Sequence, residues 1–156
     1  MIAVLHNIRS IHNVGSIFRT SNAAGIKKII LCGITPAPID AYGRERSAFA
    51  KVSLGAEKTI AWESARSTID TVKLLHDEGW IVWALEQAPS SVPFWSYPVS
   101  VDILNRVALV VGNEVDGIST DVLDQCDAIL HIPMYGEKES LNVAVAYGIC
   151  VYSFLE

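Results

Sequence analysis

The sequence has few cysteines, and none of them lies near another. Cys32, Cys126 and Cys150 form an odd, widely spaced set among 156 residues. That spacing fits neither a disulfide framework nor a CxxC metal pair, so we expect reduced, buried thiols. The four histidines are equally scattered and predict no metal site.

Long hydrophobic segments and the familiar nucleotide-binding motifs are also missing. Apolar runs such as Val107–Val111 are far too short to cross a bilayer, and the N-terminal MIAVLHNIRS has no basic leader. We therefore expect a cytoplasmic protein without a membrane partner or a signal peptide. The GxGxxG, GxxxxGKS/T, HExxH and GxSxG motifs are absent, which disfavours a nicotinamide-dependent or P-loop enzyme.

Positive charge is concentrated in the N-terminal part of an acidic chain. Residues 1–66 contain nine Lys or Arg against four Asp or Glu, whereas residues 67–156 contain three against thirteen. A one-sided basic cluster of this kind suits the phosphates of a nucleic acid, and it equally suits a solvated loop. Charge alone leaves both interpretations open.

Apolar runs alternate with helical patterns along the chain. We predict strands in IAVLH, KKIILCG, KTIAW, WIVWALE, RVALVVGNE and AILHIP, and helices beginning near Val14, Ser64, Ser119 and Ser140. The segments 34–49 and 87–98 are predicted loops because they are rich in proline and glycine. Near-continuous apolar strands that alternate with helices are typical of an α/β fold with a parallel sheet covered on both faces.

Three polar, glycine-containing stretches follow predicted strands. They are Asn13–Arg19 after the first strand, Gly112–Gly117 after the fifth and Pro133–Asn142 after the sixth. Ligands of parallel sheets bind beyond the carboxyl ends of the strands, which makes these stretches candidates for one site. Turns at strand ends also need Gly and Asn for purely structural reasons.

Taken together, the three stretches resemble the motifs of a known family. NVGSIFRTSNAAG, VVGNEVDGIS and IPMYGEKESLNVAVA occur in that order between Asn13 and Ala146. In this they are similar to the SpoU/TrmH family of RNA ribose 2′-O-methyltransferases, in the SPOUT superfamily. The resemblance implies a C-terminal deep trefoil knot, a homodimer with its active site close to the interface, and a single domain over residues 1–156 without a separate RNA-binding extension.

The resemblance also implies the reaction, the cofactor and the site. The expected reaction transfers a methyl group from S-adenosylmethionine, leaving S-adenosylhomocysteine, to a ribose 2′-hydroxyl of tRNA or rRNA, with no metal. The implied catalytic residues are Arg19, Asn13, Glu114, Ser140 and Asn142. The implied cofactor-binding residues are Leu85, Glu86, Gly112, Ile132 and Leu141. The basic residues expected to bind RNA are Arg9, Arg44, Arg46, Lys51 and Lys58.

Several of these residues also have ordinary structural interpretations. Arginine stays protonated at working pH, so Arg19 suits a bidentate phosphate contact better than the role of a general base. Glu114 is expected to hold Arg19 or Asn13, or else to face a helix N-terminus. Asn13 and Ser140 are each candidates for a helix cap.

Two alternative functions belong to other classes. A knotted RNA-binding protein without catalytic activity would serve as a binding module, but the retained motif residues argue against it. A flavodoxin-like nucleotide-binding or oxidoreductase domain fits the α/β pattern, but the glycine fingerprints of such domains are absent.

Overall fold

The structure, a computed structural model, describes residues 1–97 and 100–155; Pro98, Val99 and Glu156 lie outside the described residues. The strands are β1 (Ile2–His6), β2 (Lys28–Cys32), β3 (Ala61–Ala65), β4 (Ile81–Leu85), β5 (Val92–Pro93), β6 (Val107–Val111) and β7 (Ala128–His131). The helices are α1 (Ile11–Ala23), α2 (Ser47–Ser53), α3 (Thr68–Asp77), α4 (Val101–Leu104), α5 (Thr120–Leu123) and α6 (Val143–Ser153). Among the helices so described, none is long and apolar enough to span a membrane.

The strands of the described residues form one seven-stranded parallel sheet in the order β3-β2-β1-β6-β4-β7-β5. β1 lies in its interior, where Leu5 is in register with Leu31 of β2 and with Val111 of β6. Because the strands run in the same direction, their carboxyl ends meet at one edge of the sheet. The predicted α/β fold with a parallel sheet is confirmed.

Alternating side chains along the interior strands supply two cores, one on each face of the sheet. In β1, Ala3 and Leu5 belong to the first core, which α1, α2 and α6 cover. Ile2 and Val4 belong to the second core, which α3 and α5 cover. The prediction of helices on both faces is therefore also confirmed.

A glycine lies where α1 and α2 touch. A Cβ on Gly15 would meet the Cβ of Val52 at 3.0 Å, so a larger residue would push the two helices apart. Beside this contact the rings of Phe18 and Phe49 pack edge to face, with their centroids 5.1 Å apart. α2 begins inside the predicted loop 34–49, because seven residues are too few for a helical period to stand out.

The third strand lies three residues later than the predicted KTIAW. β3 is an edge strand of the sheet, and its Glu63 and Ser64 are exposed. An edge strand with polar side chains lacks the apolar run that marks the interior strands. The two-residue β5 lies inside the predicted loop 87–98, because two residues are too few to form an apolar run.

Helices α1 and α3 begin at residues other than those predicted. Ser10 caps α1, because its hydroxyl accepts a hydrogen bond from the amide of Asn13 at 3.2 Å. The prediction that Asn13 is the cap is therefore wrong, and its side chain is available for other contacts. Ser67, and not Ser64, caps α3. Serine and asparagine are equally good caps, so the sequence alone could not choose between neighbouring candidates.

Candidate active site

A cavity of about 370 Å³ opens at the carboxyl ends of β4, β6 and β7. Parallel sheets commonly bind ligands at this edge. Its wall consists of these strand ends, the loops that follow β6 and β7, and the first turn of α6. All five residues predicted to bind a cofactor line it: Leu85, Glu86, Gly112, Ile132 and Leu141. Their contact with a cofactor stays a prediction.

The loop after β6 folds back tightly at two glycines. A Cβ on Gly112 would collide with the main chain of Gly117. Gly117 itself has a φ of +66°, and a Cβ there would collide with the carboxylate of Glu86. Glu86 accepts hydrogen bonds from the amides of Ile118 at 2.9 Å and Gln87 at 2.8 Å. Glu86 therefore ties this loop to the end of β4.

Two cavity residues outside the predicted set also organise the wall. Asn113 accepts hydrogen bonds through Oδ1 from the amides of Val115 and Asp116, both at 2.8 Å, which forms an Asx turn. Gln87 donates through Nε2 to the carbonyl of Ile132 at 2.6 Å. Asn113 stands within the GNE motif and could have been found there. Nothing in the sequence marks Gln87, because its partner lies far along the chain.

Three of the predicted catalytic residues form a hydrogen-bonded chain beside the cavity. Asn13 donates through Nδ2 to Oε1 of Glu114 at 2.7 Å. Asn142 donates through Nδ2 to Oδ1 of Asn13 at 3.0 Å. The Oδ1 of Asn142 accepts from the amides of Ala144 and Val145 at 3.0 and 3.4 Å, which caps α6. Because Asn13 lies on α1, this chain of hydrogen bonds links α1 to the loops after β6 and β7.

Glu114 faces the N-terminus of α1. Its carboxylate accepts hydrogen bonds from the amides of Arg9 at 3.3 Å and Ser10 at 3.4 Å. Partial burial alone would raise the pKa of Glu114, but the hydrogen bonds from Asn13 and these amides outweigh burial and lower it. Glu114 is therefore a weak base that stays ionised at neutral pH. Glu114 therefore makes two of the contacts expected of it, one with the side chain of Asn13 and one with the N-terminus of α1, and within the described residues it makes none with Arg19.

The other two predicted catalytic residues stand apart from that chain of hydrogen bonds. Arg19 is exposed on α1, and its guanidinium has neither a hydrogen bond nor an ion pair within residues 1–97 and 100–155. Ser140 is exposed and lines the cavity shortly before Asn142, so the prediction that it caps α6 is wrong. Neither side chain is engaged by the described part of the fold.

The predicted RNA-binding residues lie at the surface, and several are paired with carboxylates. Arg9 lies 3.6 Å from Asp116, Arg44 lies 2.8 Å from Asp40, and Lys58 lies 3.1 Å from Glu45. Half-buried Arg46 donates to a main-chain carbonyl, and Lys51 is exposed on α2. Exposed ion pairs of this kind contribute little to stability, so these cations can exchange a carboxylate for another anion. RNA binding by these residues stays a prediction.

The histidines and cysteines behave as ordinary structural residues. His6 is hydrogen-bonded to Thr68 at 2.7 Å, and His76 and His131 also bond to protein side chains. Cys32 and Cys150 are buried as predicted, whereas Cys126 is only half-buried. Within the described residues, no group of three His, Cys, Asp or Glu side chains is placed to hold a metal.

Comparison with known proteins places this architecture among RNA-modifying enzymes. The chain is 30% identical over 153 residues to the 23S rRNA (guanosine-2′-O-)-methyltransferase RlmB of Ralstonia nicotianae, covering 97% of this chain and 57% of that protein. The AdoMet-bound rRNA methyltransferase of Sinorhizobium meliloti superposes with a TM-score of 0.84 at 29% identity, over 97% of this chain and 54% of that one. The A. aeolicus TrmH/SpoU tRNA modifying enzyme superposes with a TM-score of 0.79 at 29% identity, over 97% and 71%.

The match covers this chain nearly completely but its relatives only in part. The chain spans less than three fifths of the length of RlmB from Ralstonia nicotianae. A sequence model of the SpoU rRNA Methylase family matches residues 1–152, which include all three motifs and the whole cavity wall. The chain therefore belongs to the SpoU rRNA Methylase family.

Proposed function

We propose that this protein transfers a methyl group from S-adenosylmethionine to a ribose 2′-hydroxyl of tRNA or rRNA. The observation that carries the proposal is the hydrogen-bonded chain Glu114–Asn13–Asn142 beside the cavity. It joins one residue from each of the three motifs at the edge of the sheet where ligands bind. Relatives that methylate rRNA and modify tRNA support the same reaction class.

The cavity fits S-adenosylmethionine. Its volume of about 370 Å³ lies in the range of small-molecule sites. Leu85, Ile132 and Leu141 offer apolar surface for an adenine ring, and Gly112 and Gly117 allow the loop after β6 to fold tightly at the cavity wall. A solved relative, the rRNA methyltransferase of Sinorhizobium meliloti, binds AdoMet.

The chemistry asks the protein to orient a weak nucleophile. When bound, S-adenosylmethionine supplies a methyl group whose bond to sulfur breaks as the ribose oxygen attacks. Arg19 grips the neighbouring phosphate with two N–H groups and stabilises the negative charge that develops on that oxygen. The hydroxyl proton passes to a phosphate oxygen or to water, since the carboxylate of Glu114 is already occupied by Asn13 and by the amides of Arg9 and Ser10. Glu114 and Asn142 instead hold Asn13 in one orientation.

We further infer a homodimer that pairs through α6. Its exposed apolar side chains Val145, Ile149 and Tyr152 follow one side of the helix and are 51%, 42% and 48% exposed. In a two-fold interface this apolar stripe would pack against the same stripe of a second copy of the chain. The first turn of the same helix borders the cavity, so a partner there would stand close to the site.

A C-terminal trefoil knot is the second structural proposal. Family membership supports this proposal. The order of the sheet also supports it, because β4 lies between β6 and β7 and the loops after β6 and β7 line one cavity. Stretching the chain from its termini tests this proposal. A knot that tightens leaves the unfolded chain shorter than its contour length, whereas full extension would contradict it.

Cofactor binding and methyl transfer can be tested separately. Calorimetry with S-adenosylhomocysteine should show one site per chain. Total RNA from cells that lack the gene should then accept methyl groups, and mass spectrometry should find a single new 2′-O-methyl nucleoside. RNA binding without methyl transfer would favour the inactive binding module. Binding of NAD without S-adenosylhomocysteine would contradict both the reaction and the cofactor.

A further inference from the structure

Residues 39–45, between β2 and α2, form a short, ordered hairpin. Ile39 and Glu45 pair as an antiparallel bridge. The amide of Asp40 donates to the carbonyl of Arg44 at 2.9 Å, and the amide of Gly43 donates back to Asp40 at 3.0 Å. Gly43 closes the turn with a φ of +77°. The backbone of this hairpin is therefore held by its own hydrogen bonds.

One carboxylate fixes both the turn and a neighbouring cation. Asp40 accepts through Oδ1 from the amides of Tyr42 at 2.8 Å and Arg44 at 3.0 Å. Through Oδ2 it accepts a hydrogen bond from Nε of Arg44 at 2.8 Å and forms an ion pair with Nη2 of Arg44, also at 2.8 Å. The guanidinium held in this way lies over the ring of Tyr42, 5.1 Å from its centroid. The aromatic ring and the cation are therefore positioned together.

The hairpin presents this pair to solvent. Tyr42 is 84% exposed and belongs to neither core, so the fold does not require an aromatic ring there. The Nη1 nitrogen of Arg44 has no hydrogen-bond partner within residues 1–97 and 100–155. Arg46 and Lys51 follow in the same basic part of the chain.

We propose that Tyr42 is a stacking surface for an unpaired base of the RNA substrate, while Arg44 contacts an adjacent phosphate. The inference rests on the proposed RNA methyltransfer. Exposed aromatic rings beside cations are the means by which proteins bind single-stranded nucleic acid, since bases stack on them without regard to sequence. The excess of positive charge in residues 1–66 favours a phosphate-bearing partner over a neutral or basic protein surface.

The test compares three variants by titrating RNA into the full-length protein. The probes are a single-stranded RNA carrying 2-aminopurine, whose fluorescence falls on stacking, and a fully paired RNA duplex. Tyr42→Ala should weaken binding of the single strand by about five- to hundred-fold and abolish the quenching, whereas Tyr42→Phe should stay within about twofold. Leu74→Ala, which removes an exposed apolar side chain on α3, is the matched control and should bind like the wild type.

Salt dependence separates stacking from charge. Tyr42→Ala should leave the slope of log affinity against log salt unchanged, whereas Arg44→Ala should reduce it by about 0.7. Equal single-strand affinity and quenching for Tyr42→Ala and wild type overturn the inference, and so does an equal loss on the duplex. Wild-type protein that binds neither probe nor cellular RNA, although it binds S-adenosylhomocysteine, would instead overturn the proposed RNA substrate.

Discussion

Within the described residues the fold makes no use of the guanidinium of Arg19. Arg19 stands on the same helix as Asn13, but its side chain is exposed and makes no hydrogen bond there. A guanidinium that stays solvated costs the folded protein little free energy. The same guanidinium can donate two hydrogen bonds to one phosphate, in a planar geometry that an ammonium group does not offer.

Arg19→Ala should therefore lower methyl transfer by about 10²–10³-fold, the usual effect of losing one donor to a developing oxyanion. Arg19→Lys should be nearly as inactive, because a point charge does not replace the planar fork. Affinity for S-adenosylhomocysteine should change by no more than a few-fold in both variants. Single-turnover rates and calorimetry measure the two quantities. Full activity in Arg19→Lys would contradict the bidentate contact, and loss of cofactor binding would make Arg19 structural.

His6 is a residue whose burial has a consequence for stability. It lies at the end of β1 and is hydrogen-bonded to Thr68. Burial lowers the pKa of His6 below its ordinary value of 6.5, against a smaller opposing effect of Asp121. As the pH falls below 6.5, His6 of the unfolded chain takes up a proton, whereas His6 of the folded chain stays neutral to a lower pH.

The free energy of unfolding should therefore fall as the pH drops below 6.5, and it should be insensitive to His6 above that pH. His6→Gln removes the titrating group, so its stability should depend less steeply on pH in that range. Urea unfolding at a series of pH values measures both slopes. Identical slopes for the variant and the wild type would show that His6 has no part in the effect.

At the scale of elements, α6 depends on one side chain for two tasks. Asn142 caps the helix with its carbonyl oxygen and positions Asn13 with its amide group. The cap satisfies amides that a helix N-terminus leaves without partners. A helix that borders the cavity must begin at a fixed place, so the cap also determines the shape of the site.

Substitutions of Asn142 separate the two tasks. Asn142→Asp keeps an acceptor for the cap but loses the donor to Asn13, so stability should be retained while methyl transfer falls by about tenfold or more. Asn142→Ala loses both and should also destabilise the protein by about 1 kcal/mol. Thermal unfolding and single-turnover rates separate these effects. An active Asn142→Asp variant would show that the contact with Asn13 is dispensable.

At the scale of the whole molecule, α6 is buried on one side only. Tyr147, Cys150 and Val151 lie in the first core, and the hydroxyl of Tyr147 lies 2.6 Å from that of Ser21 on α1. The opposite side of the helix carries the exposed apolar stripe Val145, Ile149 and Tyr152. A helix that is apolar on every side is explained by a second covering surface, which the homodimer would supply.

Light scattering should accordingly give twice the mass of one chain at micromolar concentration. Ile149→Asp places two like charges in the proposed interface and should give a folded monomer with lower methyl transfer. Leu74→Asp, an exposed position on α3, is the control that should remain dimeric. A wild-type mass of one chain, or a dimer in the Ile149 variant, would place the interface elsewhere or exclude it.

The fold class and the three motifs could be predicted without the structure. Interior strands such as β1 and β6 are buried along their whole length and are apolar except for His6, so their positions could be predicted from local pattern alone. The positions of β3 and α2 could not be predicted in this way. The edge strand β3 is partly exposed and lacks an apolar run, and the seven residues of α2 are too few to show a helical period. The resemblance of three motifs likewise pointed to Asn13, Glu114 and Asn142 before their contacts were known.

The contacts between those residues follow from the packing of the tertiary structure. The chain Glu114–Asn13–Asn142 joins positions that lie more than a hundred residues apart, so no local pattern contains it. The contact of Gln87 with Ile132, 45 residues further along the chain, arises in the same way. Hydrogen-bond partners depend on where the sheet places each loop, and that placement is a property of the packed whole.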